Sequence, residues 1–186
     1  AESHPGGDRQ PAMTGSAASR IHVSEGETRV ETDAALCLTT VLGSCVSACL
    51  YDAIAGTGGM NHFLLAGDGG PRSGAAERYG AYLMELLVNG LLQRGARRER
   101  LQGKLFGGAH TGVGGGGIGA ENAAFAKRFL AAENIPLMGG SLGGDKVRRV
   151  EFWPVGGRAR QLYINSREPV RVAPSLPTKL GEVEFF

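Results

Sequence analysis

Glycine is the feature that most constrains what this chain can fold into. The sequence has 31 glycines among 186 residues. Because glycine has no Cβ, it supplies backbone conformations closed to other residues and lets backbone approach backbone or a ligand closely. We therefore expect many tight turns, and a long glycine-rich loop at residues 107–119.

Length and composition indicate one globular domain. A chain of 186 residues can bury a sizeable core without a disulfide or metal. The net charge of +2 gives no argument for nucleic-acid binding, and no apolar run is long enough for a membrane span. An odd count of three cysteines does not fit a disulfide framework, so we expect a reducing, cytoplasmic location.

The chain divides into three parts by composition. Residues 1–19 are rich in small and polar residues and lack the apolar segment of a secretory signal, which predicts a disordered tail. Residues 20–165 carry the strand and helix patterns and are expected to form the single domain. Residues 166–186 contain three prolines and predict an irregular C-terminal tail.

The pattern of apolar residues predicts more strands than helices. Leucines at helical spacing predict one helix over 75–94, and a second is expected over 120–133. Strands are expected at 20–24, 35–42, 45–51, 59–65, 101–106, 136–140, 148–153 and 161–164. This order predicts an α/β or α+β domain of layered, mixed β-sheets flanked by helices, and not a regular wound βαβ sheet.

Cys45 is the first candidate catalytic residue. Most free cysteines are buried apolar residues, and Cys37 and Cys49 fit that description. Cys45 differs because Gly43 and Ser44 precede it in a small-residue turn. Backbone N–H groups in such a turn can stabilise an oxyanion beside the sulfur, so Gly43 and Ser44 are the candidate oxyanion residues.

His62 is the second candidate. A single histidine is usually structural or solvent-facing, but His62 lies on a strand that can pair beside the Cys45 strand. A hairpin would bring the imidazole near the thiol, where it takes the proton or stabilises a thiolate ion pair. Thr39 has the strand parity of Cys45 and could orient His62, although plain β-propensity also explains a threonine there.

Other segments are less specific. The glycine-rich loop lacks the residues of a phosphate-binding motif, and the Cys and His spacing does not favour zinc, so we expect no metal and no cofactor. A basic run is either a solvated helix end or a docking patch for an acidic protein; it comprises Arg94, Arg97, Arg98, Arg100 and Lys104.

Several ordered motifs resemble one family, the CheD chemoreceptor glutamine deamidases. The resemblance covers roughly residues 20–165. The motifs are TTVLGSCV at 39–46, CLYD at 49–52, GMNHF at 59–63, KLFGGA at 104–109, IGAEN at 118–122, the glycines at 143–144 and RRV at 148–150. One departure is the loop at 110–117, which is almost all glycine here, whereas the family usually has larger residues.

The resemblance implies a cytoplasmic enzyme of chemotaxis that converts glutamines of methyl-accepting chemoreceptors to glutamate. It implies a fold similar to the toxin-deamidase-like cysteine hydrolases, with Cys45 as nucleophile, His62 as base and Thr39 as third member. We also expect Asn61, Gly107 and Gly108 close to the substrate. The chemotaxis phosphatase CheC is an expected partner, and the protein is expected to be a monomer.

Two other interpretations stay open at this stage. In the first, the site is vestigial and the protein is a docking module that regulates CheC or the receptor array. In the second, the chain is a cysteine protease or thioesterase. The presence of all three of Cys45, His62 and Thr39 favours an active deamidase.

Overall fold

The computed structural model describes residues 19–65, 74–110 and 117–164. The tails were predicted at 1–19 and 166–186, and all of their residues except Ser19 lie outside these ranges, as does the centre of the glycine-rich loop at 111–116. No helix in the described ranges is long and apolar enough to cross a membrane.

Nine strands and two α-helices make up the described part of the chain, and a short 3-10 turn lies at Arg98–Arg100. The helices are α1 (Gly74–Gln93) and α2 (Ile118–Ala132). The strands are β1 (Ser19–His22), β2 (Thr28–Glu31), β3 (Leu36–Leu42), β4 (Val46–Asp52), β5 (Thr57–Asn61), β6 (Gln102–Gly107), β7 (Leu137–Leu142), β8 (Arg148–Trp153) and β9 (Arg158–Tyr163).

The strands form two mixed sheets, and the helices cover one of them. The four-stranded sheet has the order β1-β3-β8-β9, and the five-stranded sheet has the order β2-β5-β4-β6-β7. Both helices pack against the five-stranded sheet. The predicted layered α+β architecture is therefore confirmed.

Two apolar cores hold these layers together. The first lies between the helices and the five-stranded sheet and includes Leu50, Leu87 and Phe125. The second lies between the two sheets and includes Leu38, Met60 and Phe152. Strand β4 contributes to both cores, because neighbouring residues of a strand point to opposite faces and every residue of β4 is buried.

The sequence patterns found every strand except β2. This strand has one buried apolar residue, Val30, in the segment TRVE, so no run of apolar residues signals it. It forms because it pairs antiparallel with β5 and places Val30 against the helix-side core. The strand expected over 59–65 is β5, which ends earlier at Asn61; Phe63 makes one isolated bridge to Val46.

Candidate active site

The turn that carries Cys45 connects two strands of different sheets. It spans residues 43–45 between β3 and β4. Ala109 N donates to the Gly43 carbonyl at 2.8 Å, and Gly108 N donates to the Cys45 carbonyl at 2.8 Å. Gly108 and Ala109, which follow β6, therefore hold this turn with two backbone hydrogen bonds.

A buried asparagine of α2 holds the middle of the same turn. Asn122 Nδ2 donates to the Ser44 carbonyl at 2.9 Å, and Asn122 Oδ1 accepts from Leu65 N at 2.9 Å. The Asn122 side chain is fully buried, so losing either bond would leave a buried polar group without a partner. Asn122 was not a predicted site residue, although it lies in one of the family motifs.

These bonds orient the free amide groups of the turn. All peptide bonds in the described ranges are trans, so each N–H points away from the carbonyl of the residue before it. The Gly43 and Ser44 carbonyls accept hydrogen bonds from Ala109 and Asn122, so the N–H groups of Ser44 and Cys45 point away from those two residues. Neither N–H donates to another residue in the described ranges, and the Cys45 N–H bonds only its own thiol. The arrangement can therefore donate two hydrogen bonds to an oxyanion, and the oxyanion role of the turn stays a prediction.

His62 directly follows β5, and β5 pairs antiparallel with β4 as the predicted hairpin requires. His62 N donates to the Glu27 carbonyl at 3.1 Å, and Gly26 N donates to the His62 carbonyl at 2.8 Å. The imidazole is 7% exposed. Its backbone is thus held by the loop between β1 and β2, and its ring is buried near Cys45.

The hydrogen bonds of His62 define its neutral tautomer. Nδ1 lies 2.9 Å from Thr40 Oγ1 and 3.4 Å from the Val23 carbonyl, while Thr40 Oγ1 donates to that carbonyl at 2.7 Å. A carbonyl only accepts, so the single hydroxyl proton of Thr40 goes to Val23 and Nδ1 must carry its own proton. Nε2 then keeps its lone pair, and it has no partner among the described residues.

Thr39, the predicted third member, does not contact His62 in this structure, because it lies on the other face of β3, so its catalytic role stays a prediction. The Thr39 hydroxyl donates to the Val150 carbonyl at 3.0 Å. Residues 38, 40 and 42 of β3 are buried toward the neighbouring sheet, and residues 39 and 41 are less buried. Parity with Cys45 failed as a guide because the turn at 43–45 ends the strand.

Glu25 also lies at the candidate site, and no sequence motif signals it. It lies in the loop between β1 and β2, and its Oε2 accepts from Cys45 Sγ at 3.8 Å. The sulfur, a ring nitrogen of His62 and a carboxylate oxygen of Glu25 all lie within 4.8 Å of one another. Cys45 and His62 are therefore close, but in this conformation the thiol donates its hydrogen bond to Glu25 and not to the imidazole.

The electrostatics favour a neutral pair over a thiolate–imidazolium pair. Burial, and then the charge of Glu25, raise the pKa of the Cys45 thiol to about 11. Burial lowers the pKa of His62 below 6.5, and this outweighs the Val23 carbonyl and Glu25, which raise it. At neutral pH the site therefore holds a protonated thiol beside a neutral imidazole with a free lone pair. Of the two possibilities left open by the sequence, this geometry favours proton abstraction by the imidazole.

Replacing Glu25 with glutamine is expected to make Cys45 more reactive. Removal of the carboxylate lowers the pKa of the thiol and raises the thiolate fraction at pH 8. We expect alkylation by iodoacetamide to become about three- to tenfold faster, because one pKa unit changes that fraction tenfold. The rate is measured at the Cys45 peptide by mass spectrometry. Glu27→Gln is the matched control, because Glu27 bonds Ser24 N instead of the thiol; equal rates in all three proteins would contradict the assignment.

Three residues expected near the substrate make structural contacts within the protein. Asn61 is fully buried, and its Oδ1 accepts from Ala48 N at 2.9 Å while Nδ2 donates to the Leu83 carbonyl at 3.4 Å. Gly107 and Gly108 are buried behind the Cys45 turn, both with positive φ. A Cβ at Gly107 would overlap the Cys45 carbonyl oxygen. These contacts give the three residues structural roles, and their proximity to the substrate stays a prediction.

Fold and site together define an α+β protein with a thiol–imidazole pair of the kind that cysteine hydrolases use. The family model described as CheD chemotactic sensory transduction matches residues 64–161. The chain belongs to the CheD family. That match begins just after His62, whereas the relatives below align over most of the chain.

The relatives support the same assignment over more of the chain. A protein of Agrobacterium fabrum is 49% identical over 94% of this chain and 100% of its own length, and one of Rhizobium leguminosarum is 52% identical over the same shares. A protein of Acidiphilium cryptum is 54% identical over 91% of this chain and 94% of its own length. Each of the three is named a probable chemoreceptor glutamine deamidase CheD.

Solved structures resemble the chain only in part. The Bacillus licheniformis hypothetical protein YfiH is 12% identical with a TM-score of 0.40, covering 61% of this chain and 49% of its own. Protein NMB0706 of Neisseria meningitidis is 11% identical with a TM-score of 0.39, covering 63% and 51%.

Proposed function

We propose that this protein hydrolyses the side-chain amide of particular glutamines on methyl-accepting chemoreceptors and leaves glutamate. One observation carries the proposal: a thiol and a neutral imidazole meet beside two backbone N–H groups that bond no other described residue, in a chain about half identical to relatives named as such deamidases. An amide carbon is the electrophile that such a set attacks. We further propose that the protein acts in the cytoplasm, where the receptor signalling helices lie.

The first half of the proposed reaction forms a thioester. Cys45 rotates from Glu25 toward His62, and Nε2 accepts the thiol proton as the sulfur attacks the amide carbon of the glutamine. The N–H groups of Ser44 and Cys45 donate to the oxyanion that forms. The carbon–nitrogen bond then breaks, and the imidazolium gives its proton to the departing ammonia.

The second half releases the product. His62 takes a proton from a water molecule, the hydroxide attacks the thioester carbon, and the thiol regains the proton as glutamate leaves. Thr40 acts as a positioning residue throughout, because it accepts from Nδ1 and so keeps Nε2 available. The added negative charge on the receptor helix then shifts its signalling equilibrium.

The direct test is mass spectrometry of a purified receptor cytoplasmic domain incubated with the protein. The proposal expects the mass increase of an amide-to-acid conversion on glutamine-bearing peptides, and none in a parallel incubation without the protein. Binding without any mass change would favour the docking module. Cleavage of the receptor backbone would favour a cysteine protease.

The pH dependence should follow His62 on the acid side. Because burial lowers the pKa of His62, the active neutral form persists below pH 6.5. We expect kcat/KM to fall only as pH drops through that lowered pKa, to stay level through neutral pH, and to change again near the thiol pKa of about 11. Initial deamidation rates across this range provide the check. An acid limb above pH 7 would indicate that thiol ionisation controls the rate.

Two threonine substitutions separate the two candidates for the third member. Thr40→Val removes the hydrogen bond to His62 Nδ1 and should lower kcat by about ten- to a hundredfold, because the imidazole loses its orientation. Thr39→Val keeps the β-branched shape and removes only the bond to the Val150 carbonyl, so kcat should stay within about threefold. The reverse ranking, measured as kcat with folded variants, would restore Thr39 to the role given by the family resemblance.

Three earlier predictions stay predictions. They are the single domain over 20–165 with its two tails, the monomeric state, and the binding of the CheC phosphatase. Light scattering of the purified protein, alone and with CheC, measures the last two together.

A further inference from the structure

Three groups at the candidate active site have the chemistry of zinc ligands. The Cys45 sulfur, a ring nitrogen of His62 and a carboxylate oxygen of Glu25 all lie within 4.8 Å of one another. Thiolate, imidazole and carboxylate are the three ligand types that zinc takes in proteins. They come from three places in the chain: the turn at 43–45, the end of β5, and the loop between β1 and β2.

A second observation points to a ligand at this place. His62 Nε2 has no hydrogen-bond partner in the described part of the chain, although the residue is only 7% exposed. Buried polar atoms nearly always have a partner, so an orphaned nitrogen calls for an explanation. Because Nδ1 carries the proton, Nε2 presents a lone pair, which is the form in which histidine binds a metal.

The distances suit zinc after a small closure. Tetrahedral zinc holds its sulfur about 3.6 Å from nitrogen or oxygen ligands, and its nitrogen and oxygen ligands about 3.4 Å apart. Sγ and Glu25 Oε2 are 3.8 Å apart already, and no ligand pair exceeds 4.8 Å. Glu25 is exposed on a loop, so its side chain can move to shorten the remaining distances between the ligand atoms. The Thr40 hydroxyl, which binds Nδ1, supplies the partner that a ligating histidine needs at its other nitrogen.

We propose that Cys45, His62 and Glu25 form an inhibitory site for a thiophilic divalent cation, with Zn²⁺ as the best fit. The cation bonds to the sulfur as the thiol proton leaves to solvent, so one proton is released for each ion bound. The carboxylate and thiolate together balance its charge of two. Water takes the fourth position.

Binding of this cation occupies the lone pairs on sulfur and on Nε2 that the proposed reaction uses. The ion is therefore a reversible inhibitor and not a cofactor. The inhibition rests on the proposed function, whereas the binding does not. The two can be measured separately.

The experiment titrates the metal-free full chain with Co²⁺, a spectroscopic substitute for Zn²⁺, and then displaces it with Zn²⁺. The proposal expects one equivalent bound and a thiolate-to-cobalt charge-transfer band. Cys45→Ser should lose the band, and Glu25→Gln should bind at least about tenfold more weakly. Cys49→Ala and His22→Asn are controls, because neither residue belongs to the cluster, and both should bind as the wild type does. Circular dichroism confirms that each variant is folded.

Zn²⁺ should also inhibit deamidation over the same concentration range, and a chelator should restore it. No band in the wild type, a band that survives Cys45→Ser, or unchanged affinity in Glu25→Gln would each overturn the site. Normal metal binding by a protein that deamidates no receptor would leave the site standing and reject the proposed function.

Discussion

Cys45→Ala is expected to reduce receptor deamidation to the rate without enzyme. The sulfur is the proposed nucleophile, and no other thiol can replace it, because Cys37 and Cys49 are fully buried. In cysteine and serine hydrolases the loss of the nucleophile alone removes nearly all catalysis, so we expect a decrease in kcat of at least about 10³-fold. The measurement is the initial rate of glutamate formation on receptor peptides.

The fold should survive this substitution. Cys45 is only partly buried, and its turn is held by hydrogen bonds to the backbone carbonyls of residues 43–45, which alanine keeps. Circular dichroism and thermal unfolding should therefore match the wild type closely.

Cys49→Ala is the matched control for the nucleophile. The substitution removes a thiol from a fully buried position in β4. The variant should therefore keep its activity and lose a modest amount of stability. Substantial activity in Cys45→Ala, or equal loss in both variants, would contradict the proposed nucleophile.

Asp52→Ala is expected to have the largest effect on stability. Asp52 ends β4, and its carboxylate is fully buried. Oδ2 accepts from Arg97 N at 3.0 Å and pairs with the Arg100 guanidinium at 2.7 Å, while Oδ1 accepts from Ile54 N and Ala55 N. Alanine would leave Arg100 and three amide groups without this partner. Removing one member of a buried pair lowers the free energy of unfolding by about 3–5 kcal/mol.

Urea unfolding measures this change, with Arg128→Ala as control. Arg128 pairs with Glu77, and both side chains are about half exposed, so that pair should contribute less than about 1 kcal/mol. Comparable losses of stability in the two variants would show that Asp52 has no special role.

The same carboxylate predicts a pH dependence of stability. Burial raises the pKa of Asp52, but the Arg100 side chain and the amides of Arg97 and Ala55 outweigh it and hold the pKa at about 2. A folded pKa below the unfolded value of 3.8 stabilises the fold above about pH 4. That contribution, about 2 kcal/mol, is lost as the pH falls from 4 to 2. Asp52→Ala should show less of this acid destabilisation than the wild type.

Local sequence patterns predicted most of the fold. Leucines one helical turn apart identified α1, and runs of apolar and β-branched residues identified eight of the nine strands in the described ranges. The predicted hairpin of β4 and β5 brought His62 near Cys45. These features were readable because each depends on side chains close together in the chain.

The strand and contacts that were missed depend on distant partners. Strand β2 forms by pairing with β5, and Glu25 reaches Cys45 only because the loop between β1 and β2 is bonded to His62. Thr40, and not Thr39, contacts His62, because the choice depends on which face of β3 meets the neighbouring sheet. Asn61 lies in a family motif beside His62, and its buried side chain makes hydrogen bonds that connect β5 to β4 and to α1.

The sequence by itself determined the class of fold and the family, and it identified the cysteine and histidine of the candidate site. It could do so because glycine turns, apolar periodicity and ordered motifs each depend on residues that are close together in the sequence. Only the tertiary structure decided that Thr40 holds the imidazole, that Asn122 holds the Cys45 turn, and that Glu25 faces the thiol. Each of these is a contact between groups 20 or more residues apart in the chain, which forms only when two sheets and a helix pack together.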